Sequence, residues 1–201
     1  MITPNVITVI RILMIPVFVL FFYLDFEASK IVAAVIFAVA AFTDFLDGYI
    51  ARKYKLVTNM GKFLDPIADK VLVSTAFIVL LSDLNFMRTY DWVPVVFGIF
   101  VAVILARELI ISGFREIAAE RNIVLAAGML GKIKTTVQDI SIFVLLISIS
   151  LLYYMAPQAG TVLFIIGFVL FCVAVLLTLA SGIEYIVSNR EVLRTKKSYR
   201  R

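Results

Sequence analysis

Four aspartates near the junction of two apolar stretches are the residues of this sequence best suited to chemistry. The first stretch ends with Asp44 and Asp47, and the second begins with Asp65 and Asp69. Both stretches have the length and composition of membrane helices, and a carboxylate near the centre of a bilayer costs about 2.5–3.5 kcal/mol on insertion scales. A chain that concentrates four carboxylates at such a place is expected to use them.

The spacing of these aspartates predicts two helical faces that carry acids and small residues. Residues four apart lie on the same face of a helix. Two such series flank a loop: Asp44, Gly48 and Arg52 before it, and Gly61, Asp65 and Asp69 after it. Asp47 and Ala51 form a neighbouring row. The small residues allow a second helix or a ligand to approach closely.

Facing carboxylates repel one another strongly at low dielectric, so this arrangement favours bound cations. Oxygen ligands alone favour Mg²⁺, Mn²⁺ or Ca²⁺ over Zn²⁺. Four aspartates can hold two such ions about 3.5–4 Å apart, as in two-metal sites for phosphoryl transfer. A simpler interpretation is ion pairing with nearby cations, namely Arg52, Lys53, Lys62 and Lys70. Pairing alone does not account for two acidic faces that also carry glycines.

The composition identifies the chain as an integral membrane protein. Of its 201 residues, 63% are hydrophobic and 16% are charged, whereas soluble domains are about half apolar and a quarter charged. The formal net charge is +5, yet the basic residues cluster at the ends of apolar stretches, which is typical of membrane topology rather than of nucleic-acid binding. The sequence has no histidine, which excludes histidine-dependent catalysis, and its one cysteine, Cys172, excludes an intrachain disulfide.

Six apolar stretches predict an all-α integral membrane bundle of six transmembrane helices. Thr3 followed by Pro4 is typical of a helix start. The second stretch begins at Ser29 and is expected to continue as a helix through Arg52, because no helix breaker interrupts it. Before the sixth helix, residues 157–160 are predicted to form a tight turn.

The distribution of basic residues predicts the orientation of the bundle. The loops at 52–62 and 115–134 are rich in Lys and Arg, as is a tail at 190–201, whereas the other loops are not. By the positive-inside rule, both termini and the aspartates face the cytoplasm, which places the protein in the cytoplasmic membrane. Residues 1–189 are expected to form one transmembrane domain.

Counting residues along the helices predicts that the candidate catalytic residues lie at one depth in the membrane. At 1.5 Å per residue, Asp44 is about 22 Å from Ser29. By the same count, Asp69 is about 20 Å from Ser82. Because the hydrocarbon core is about 30 Å thick, both aspartates lie slightly inside the cytoplasmic boundary. Arg107, about 22 Å from the start of its own helix, reaches the same depth.

The aspartate region resembles the signature of the CDP-alcohol phosphotransferases. That signature reads Asp-x-x-Asp-Gly-x-x-Ala-Arg, then eight residues, then Gly-x-x-x-Asp-x-x-x-Asp. Every fixed position is filled here, by Asp44, Asp47, Gly48, Ala51, Arg52, Gly61, Asp65 and Asp69. Residues 3–11, 106–116 and 131–135 resemble a bacterial branch of this family that makes phosphatidylglycerol phosphate.

The resemblance implies a transfer reaction at this site. A phosphatidyl group would pass from CDP-diacylglycerol to the 1-hydroxyl of sn-glycerol 3-phosphate, with release of CMP. Two Mg²⁺ or Mn²⁺ ions would be the cofactors, one held by Asp44, Asp47 and Asp65 and the other by Asp44, Asp65 and Asp69. Asp69 would also be the general base that deprotonates the acceptor hydroxyl.

The resemblance also implies two binding sets and a homodimer in contact with membrane lipids. The set for CDP-diacylglycerol is Asn5, Thr8, Gly48, Ala51, Arg52 and Thr58. An acceptor that carries a phosphate needs a cationic pocket, and the set for it is Arg107, Arg115, Lys132 and Lys134. For the two lysines, membrane topology is an equally good explanation.

Two alternatives stay open at this point. One is the same chemistry with another acceptor, such as phosphatidylglycerol, serine or an inositol phosphate, although a neutral acceptor does not need Arg107 and Arg115. The other belongs to a different class, a divalent-cation transporter that uses the aspartates as a pathway. Against a transporter, all four acids lie toward one side of the membrane, and the other half of the protein is uniformly apolar.

Overall fold

The computed structural model describes the backbone of residues 4–54, 59–87, 90–120, 123 and 128–190, and the side chains of these residues except 4, 5, 44–54, 59–63, 84 and 85. The described part of the chain is helical and contains no strand. Its helices are α1 (Pro4–Tyr23), α2 (Ser29–Tyr54), α3 (Asn59–Ser82), the short α4 (Leu84–Met87), α5 (Val93–Glu120), α6 (Met129–Ser150) and α7 (Pro157–Ser188). A π-helical turn at Leu151–Met155 ends α6.

The predicted all-α bundle with six long helices is confirmed. Four of the helices, α1, α5, α6 with its π-helical turn, and α7, are long and apolar enough to cross a membrane. The apolar part of α2 is shorter, Ser29–Thr43, because this helix continues into the aspartate segment. Large apolar side chains such as Leu13, Val95 and Leu176 point out of the bundle, as expected for surfaces that face lipid. The chain is therefore a multi-pass membrane protein.

The core between the helices is rich in phenylalanine. Phe77 of α3, Phe97 of α5 and Phe171 of α7 meet at its centre, and the rings of Phe97 and Phe171 are stacked with 4.6 Å between their centroids. Helix α6 packs mainly on α7, while α1 packs on both α2 and α3. This packing brings the start of α3, the end of α5, the start of α6 and the end of α7 to one end of the bundle.

Two helices continue into the basic segments at 52–62 and 115–134. Helix α2 continues to Tyr54 and α3 begins at Asn59, and α5 continues to Glu120 before α6 begins at Met129. Arg, Lys, Glu and Ala are good helix formers, so a charged segment can extend a helix beyond its apolar part. Arg115 and the two lysines of α6 are therefore held on helices.

The predicted tight turn at 157–160 is wrong, because α7 already begins at Pro157. Proline suits the first position of a helix, since its φ is fixed near the helical value and it has no N–H to leave unpaired. The connection from α6 is instead the π-helical turn followed by Ala156, whose backbone is not helical. The N–H of Ala156 donates to the carbonyl oxygen of Leu151 at 2.9 Å and closes that turn.

Candidate active site

A cavity of about 740 Å³ lies where the ends of four helices converge. Its walls come from α3, α5, α6 and α7. The charged residues that line it are Asp65, Asp69, Lys70, Arg107, Glu108, Arg115, Glu116, Lys132 and Glu184. Carboxylates of α3 and cations of α5 and α6 therefore share one space, although they are far apart in sequence.

Asp65 and Asp69 lie one turn apart on α3, and both line the cavity. Thr8 Oγ1 of α1 donates a hydrogen bond to Asp65 Oδ1 at 2.5 Å. Thr8 is fully buried, so its hydroxyl lies inside the interface between α1 and α3. The bond therefore fixes the orientation of the Asp65 carboxylate at the wall of the cavity.

The other predicted metal ligands and most of the predicted nucleotide-binding residues lie outside the described side chains. Five of them belong to the last turns of α2: Asp44, Asp47, Gly48, Ala51 and Arg52. Asn5 is described only by its backbone in α1, and Thr58 lies outside the described residues. Among the side chains that are described, no three potential metal ligands lie together. The four-aspartate site with two ions therefore stays a prediction.

The described half of this donor set suits a hard divalent cation. Asp65 and Asp69 present carboxylate oxygens to the same cavity, and oxygen ligands are those that Mg²⁺ and Mn²⁺ prefer. Helix α2, which carries the other two aspartates, packs against both α1 and α3. The two described aspartates therefore fit the kind of metal that the motif implies.

Arg11 is a buried cation that the predicted binding sets leave out. It lies one turn after Thr8 on α1, is fully buried, and its Nε is 3.5 Å from Thr43 Oγ1 of α2. Thr43 immediately precedes Asp44. The spacing of three between Thr8 and Arg11 is the sequence signal for this arrangement, because it puts both side chains on one face of α1.

The two predicted acceptor-binding arginines are held by α7. Arg107 Nη2 donates to Ser181 Oγ at 2.9 Å, and Arg115 Nε donates to the hydroxyl oxygen of Tyr185 at 3.1 Å. The Arg115 guanidinium also lies 5.3 Å from the centre of the Tyr185 ring. Ser181 and Tyr185 are buried residues that line the cavity, and the predictions from sequence did not include them.

The two predicted lysines are placed differently. Lys132 is exposed and lines the cavity. The side chain of Lys134 is only 2% exposed, and its ammonium group contacts Glu108 Oε1. Glu108 itself faces the cavity and lies 3.5 Å from Arg107 Nη1. Lys134 thus contacts the cavity wall through Glu108, rather than forming part of the lining.

Lys70 is a further cation of the cavity. It follows Asp69 directly, and its ammonium group contacts Ser112 Oγ of α5. The Ser112 hydroxyl is also 2.7 Å from the carbonyl oxygen of Glu108, in the same helix. The sequence offered Lys70 only as an ion-pair partner of the aspartates, whereas the structure ties it to α5.

The chain belongs to the CDP-alcohol phosphatidyltransferase family, whose sequence profile matches residues 1–180. This match and the fold confirm the family resemblance that the aspartate motif carries. The motif, the six long helices and the charged cavity are therefore features of one family and not a chance combination.

Named relatives are similar to this chain over most of their length. A CDP-diacylglycerol–glycerol-3-phosphate 3-phosphatidyltransferase of Bacillus subtilis is 39% identical in an alignment that covers 96% of this chain and 97% of that protein. A protein of the same name from Rickettsia typhi is 38% identical over 183 residues, covering 90% and 93%. Another from Shigella flexneri is 38% identical over 189 residues, covering 93% and 94%.

Proposed function

We propose that this chain transfers the phosphatidyl group of CDP-diacylglycerol to sn-glycerol 3-phosphate, giving phosphatidylglycerol phosphate and CMP. The names of the similar proteins from three bacterial genera support this reaction. The observation that carries the proposal is the cavity in which Asp65 and Asp69 of α3 lie in the same space as Arg107 and Arg115 of α5. Such a site combines a base for the acceptor hydroxyl with cations for the acceptor phosphate.

The cations of the cavity suit an acceptor that carries its own phosphate. A guanidinium group offers a planar pair of donors that matches phosphate oxygens. Arg107 and Arg115 supply two such groups, and Lys132 of α6 adds a third cation to the lining. Serine has no phosphate group that could bind to these cations. The pocket therefore favours a phosphorylated alcohol as the acceptor.

The chemical step needs a base next to the acceptor hydroxyl. Asp69 accepts the proton of the 1-hydroxyl, and the oxygen attacks the phosphorus that bears the diacylglycerol. The bond from that phosphorus to the CMP oxygen breaks, and CMP leaves as an anion. A positioned general base typically contributes about 10²–10⁴-fold in rate.

The four aspartates of the motif are the residues that would hold two Mg²⁺ or Mn²⁺ ions. When bound, such ions neutralise charge on a diphosphate and on its leaving group. The predicted contacts of the cytidine diphosphate part are Asn5, Thr8, Gly48, Ala51, Arg52 and Thr58. A glycine at this place suits the close approach of a nucleotide.

The location follows from the two substrates. A lipid-anchored diphosphate and a water-soluble acceptor meet at the boundary of the membrane, and the basic segments of the sequence place this boundary on the cytoplasmic side of the cell membrane. The tail at 190–201 carries further basic residues, each of which contributes about 1 kcal/mol of attraction to an anionic leaflet. By its family resemblance, the protein acts as a homodimer.

The interior of the bundle argues against the cation transporter. Beyond the cavity, the rings of Phe77, Phe97 and Phe171 fill the space between α3, α5 and α7. An ion that crossed the bundle here would have to pass this apolar packing without ligands, at a large cost in hydration free energy.

The acceptor is tested with purified protein in mixed micelles that contain CDP-diacylglycerol and Mg²⁺. CMP release is measured with sn-glycerol 3-phosphate, phosphatidylglycerol, serine or inositol phosphate as the acceptor. We expect release to depend on sn-glycerol 3-phosphate and to stop when the divalent ions are chelated. Faster release with any other acceptor contradicts the proposed acceptor, and release that persists after chelation contradicts the metal requirement.

The role of Asp69 is tested by Asp69→Asn, which removes the base and keeps the shape of the side chain. We expect turnover to fall by about 10²–10⁴-fold while CDP-diacylglycerol still binds. The matched control is Asp83→Asn just after the other end of α3, because Asp83 Oδ1 caps the short α4 by accepting from the N–H of Phe86 at 2.9 Å. Normal turnover in Asp69→Asn overturns the assignment of the base.

A further inference from the structure

Ser181 and Tyr185 of α7 are not substrate-binding residues of the predicted sets, yet each contacts one of the arginines in the cationic pocket. We infer that these two residues are positioning residues that set the affinity of the site for the phosphate of the acceptor. The inference rests on the proposed function, because it takes Arg107 and Arg115 as the phosphate-binding groups. It assigns to the last turns of α7 a role in recognising the soluble substrate.

The guanidinium group of Arg107 is shared between Ser181 and a competing carboxylate, that of Glu108. Arg107 Nη2 is 2.9 Å from Ser181 Oγ, and Nη1 is 3.5 Å from Glu108 Oε1. The Ser181 hydroxyl is 3.2 Å from the carbonyl oxygen of Thr178, to which it donates its proton. Its oxygen is therefore oriented to accept from Arg107. Without this contact, the guanidinium would be free to turn fully toward Glu108 and away from a ligand.

Gly182, the residue after Ser181, packs closely against the side chain of Arg107. A Cβ atom added at Gly182 would lie 3.1 Å from Arg107 Cγ, which is tighter than ordinary contact. The backbone of α7 thus passes directly along the aliphatic part of this side chain. Arg107 Nε is buried there and has no hydrogen-bond partner in the described part of the chain. The arginine is held at its terminal nitrogens and packed along its stem.

Tyr185 holds Arg115 through two contacts. Its hydroxyl oxygen accepts from Arg115 Nε at 3.1 Å, and its ring lies below the guanidinium at 5.3 Å. Tyr185 is itself fixed, because it is buried and its ring meets that of Phe114 edge to face at 5.9 Å. Arg115 is otherwise an exposed side chain. A rigid tyrosine therefore restrains an arginine that would sample many rotamers.

The two anchors are closer together along α7 than the two arginines are along α5. Arg107 and Arg115 are eight positions apart, which is about 12 Å along α5, whereas Ser181 and Tyr185 are four positions apart, which is about 6 Å along α7. The contacts to α7 fix both guanidinium groups at the cavity before a ligand binds. Groups that are ordered before binding lose less entropy when the ligand arrives.

The inference is tested by Ser181→Ala and Tyr185→Phe, each of which removes one hydroxyl group. Tyr185→Phe keeps the ring and its contact with the guanidinium. We expect each change to raise the KM for sn-glycerol 3-phosphate about fivefold, the factor that corresponds to a net hydrogen bond of about 1 kcal/mol. The kcat and the KM for CDP-diacylglycerol are expected to change less than twofold, since the two hydroxyl groups contact the arginines of the acceptor pocket.

Two matched controls remove hydroxyl groups elsewhere. Thr178→Ala removes a buried hydroxyl one turn earlier on α7, which donates to the carbonyl of Ala174 in its own helix at 2.6 Å. Tyr23→Phe breaks the hydrogen bond of Tyr23 to Ser82 at the far end of α3. Neither control is expected to change the KM for either substrate. A control that raises the acceptor KM as much as Ser181→Ala overturns the inference.

Direct binding separates this inference from the proposed reaction. Isothermal titration with sn-glycerol 3-phosphate needs no turnover, so it reports on the pocket even if CMP release fails. A loss of affinity in both variants supports the positioning role. Equal affinity in wild type and variants, or an effect confined to kcat, overturns it. If the wild type neither binds sn-glycerol 3-phosphate nor releases CMP with it, both the inference and the proposed function are wrong.

Discussion

Thr8 of α1 donates a hydrogen bond to Asp65 of α3, across 57 positions of the sequence. The sequence predicts Thr8 as a contact of the cytidine diphosphate group, but its side chain is fully buried and its hydroxyl touches a predicted metal ligand. One turn further along α1, Arg11 reaches Thr43, the neighbour of Asp44. Helix α1 thus contacts both helices that carry the aspartates. We expect substitutions in α1 to affect catalysis by changing the orientation of the aspartates.

Replacing Thr8 by valine tests this support. Thr8→Val keeps the volume of the side chain but removes the donor to Asp65 Oδ1, so the carboxylate loses its orientation. Partners of this kind typically change metal affinity by about 10–100-fold. We expect the Mg²⁺ concentration for half-maximal CMP release to rise at least tenfold in Thr8→Val, and to change little in Thr8→Ser.

The control for this prediction is Thr161→Val, because Thr161 is near the start of α7 and its hydroxyl donates to the carbonyl of Pro157 in the same helix at 2.9 Å. The same dependence on Mg²⁺ in Thr8→Val and wild type contradicts the support role. A change confined to the KM for CDP-diacylglycerol would instead support the direct contact between Thr8 and the cytidine diphosphate group that the sequence predicts.

The helices were predictable because a membrane leaves few choices. Backbone polar groups inside lipid must bond within their own helix, so each long apolar stretch predicts a helix. The start of α1 at Pro4 and the continuation of α2 past Asp44 follow from local rules of this kind. The turn at 157–160 was not predictable in the same way, since proline is equally typical of a turn and of the first position of a helix.

The contacts of the site were less predictable than its residue types. Lys132 and Lys134 are two positions apart, which is about 200° around the helix axis. The sequence places both at the start of one helix, but only the packing of α6 decides that Lys132 faces the cavity and Lys134 faces Glu108. Likewise, the sequence shows Ser181 merely as a polar residue within an apolar helix. Its contact with Arg107 depends on the packing of α7 on α5.

The ion pair between Glu108 and Lys134 gives a prediction about stability. The Lys134 side chain is 2% exposed and that of Glu108 is 27% exposed. Glu108→Gln leaves a buried ammonium group without its counter-charge, and such a loss costs about 3–5 kcal/mol. Lys134→Met leaves a carboxylate that water in the cavity can reach, so we expect a smaller loss. Thermal unfolding in detergent measures both.

The double variant and a control make this prediction specific. Glu108→Gln combined with Lys134→Met removes both charges, and we expect it to recover most of the stability that Glu108→Gln loses. Glu116→Gln changes an exposed carboxylate of the same cavity, and surface changes of this kind stay within about 0.5 kcal/mol. Additive losses in the double variant contradict the pairing.

Gly160 is expected to be the glycine of the described part of the chain that is least tolerant of a side chain. A Cβ atom there would lie 2.3 Å from the backbone N of Leu152 and 2.5 Å from its Cα. Both atoms belong to the π-helical turn, so neither can rotate away, and α7 would have to separate from the end of α6. Overpacking of this kind costs about 1–3 kcal/mol or more. We therefore expect Gly160→Ala to lower the midpoint of thermal unfolding.

The same change at Gly98 is expected to have the opposite sign. Gly98 lies inside α5, and a Cβ atom there meets nothing within 4 Å. In an open helical position, alanine is more favourable than glycine by about 0.5–1 kcal/mol, because glycine loses more backbone freedom on folding. Gly98→Ala should leave the midpoint unchanged or raise it. Equal shifts in Gly98→Ala and Gly160→Ala would show that the loss of glycine itself, and not the close approach of α7 to the π-helical turn, determines the effect.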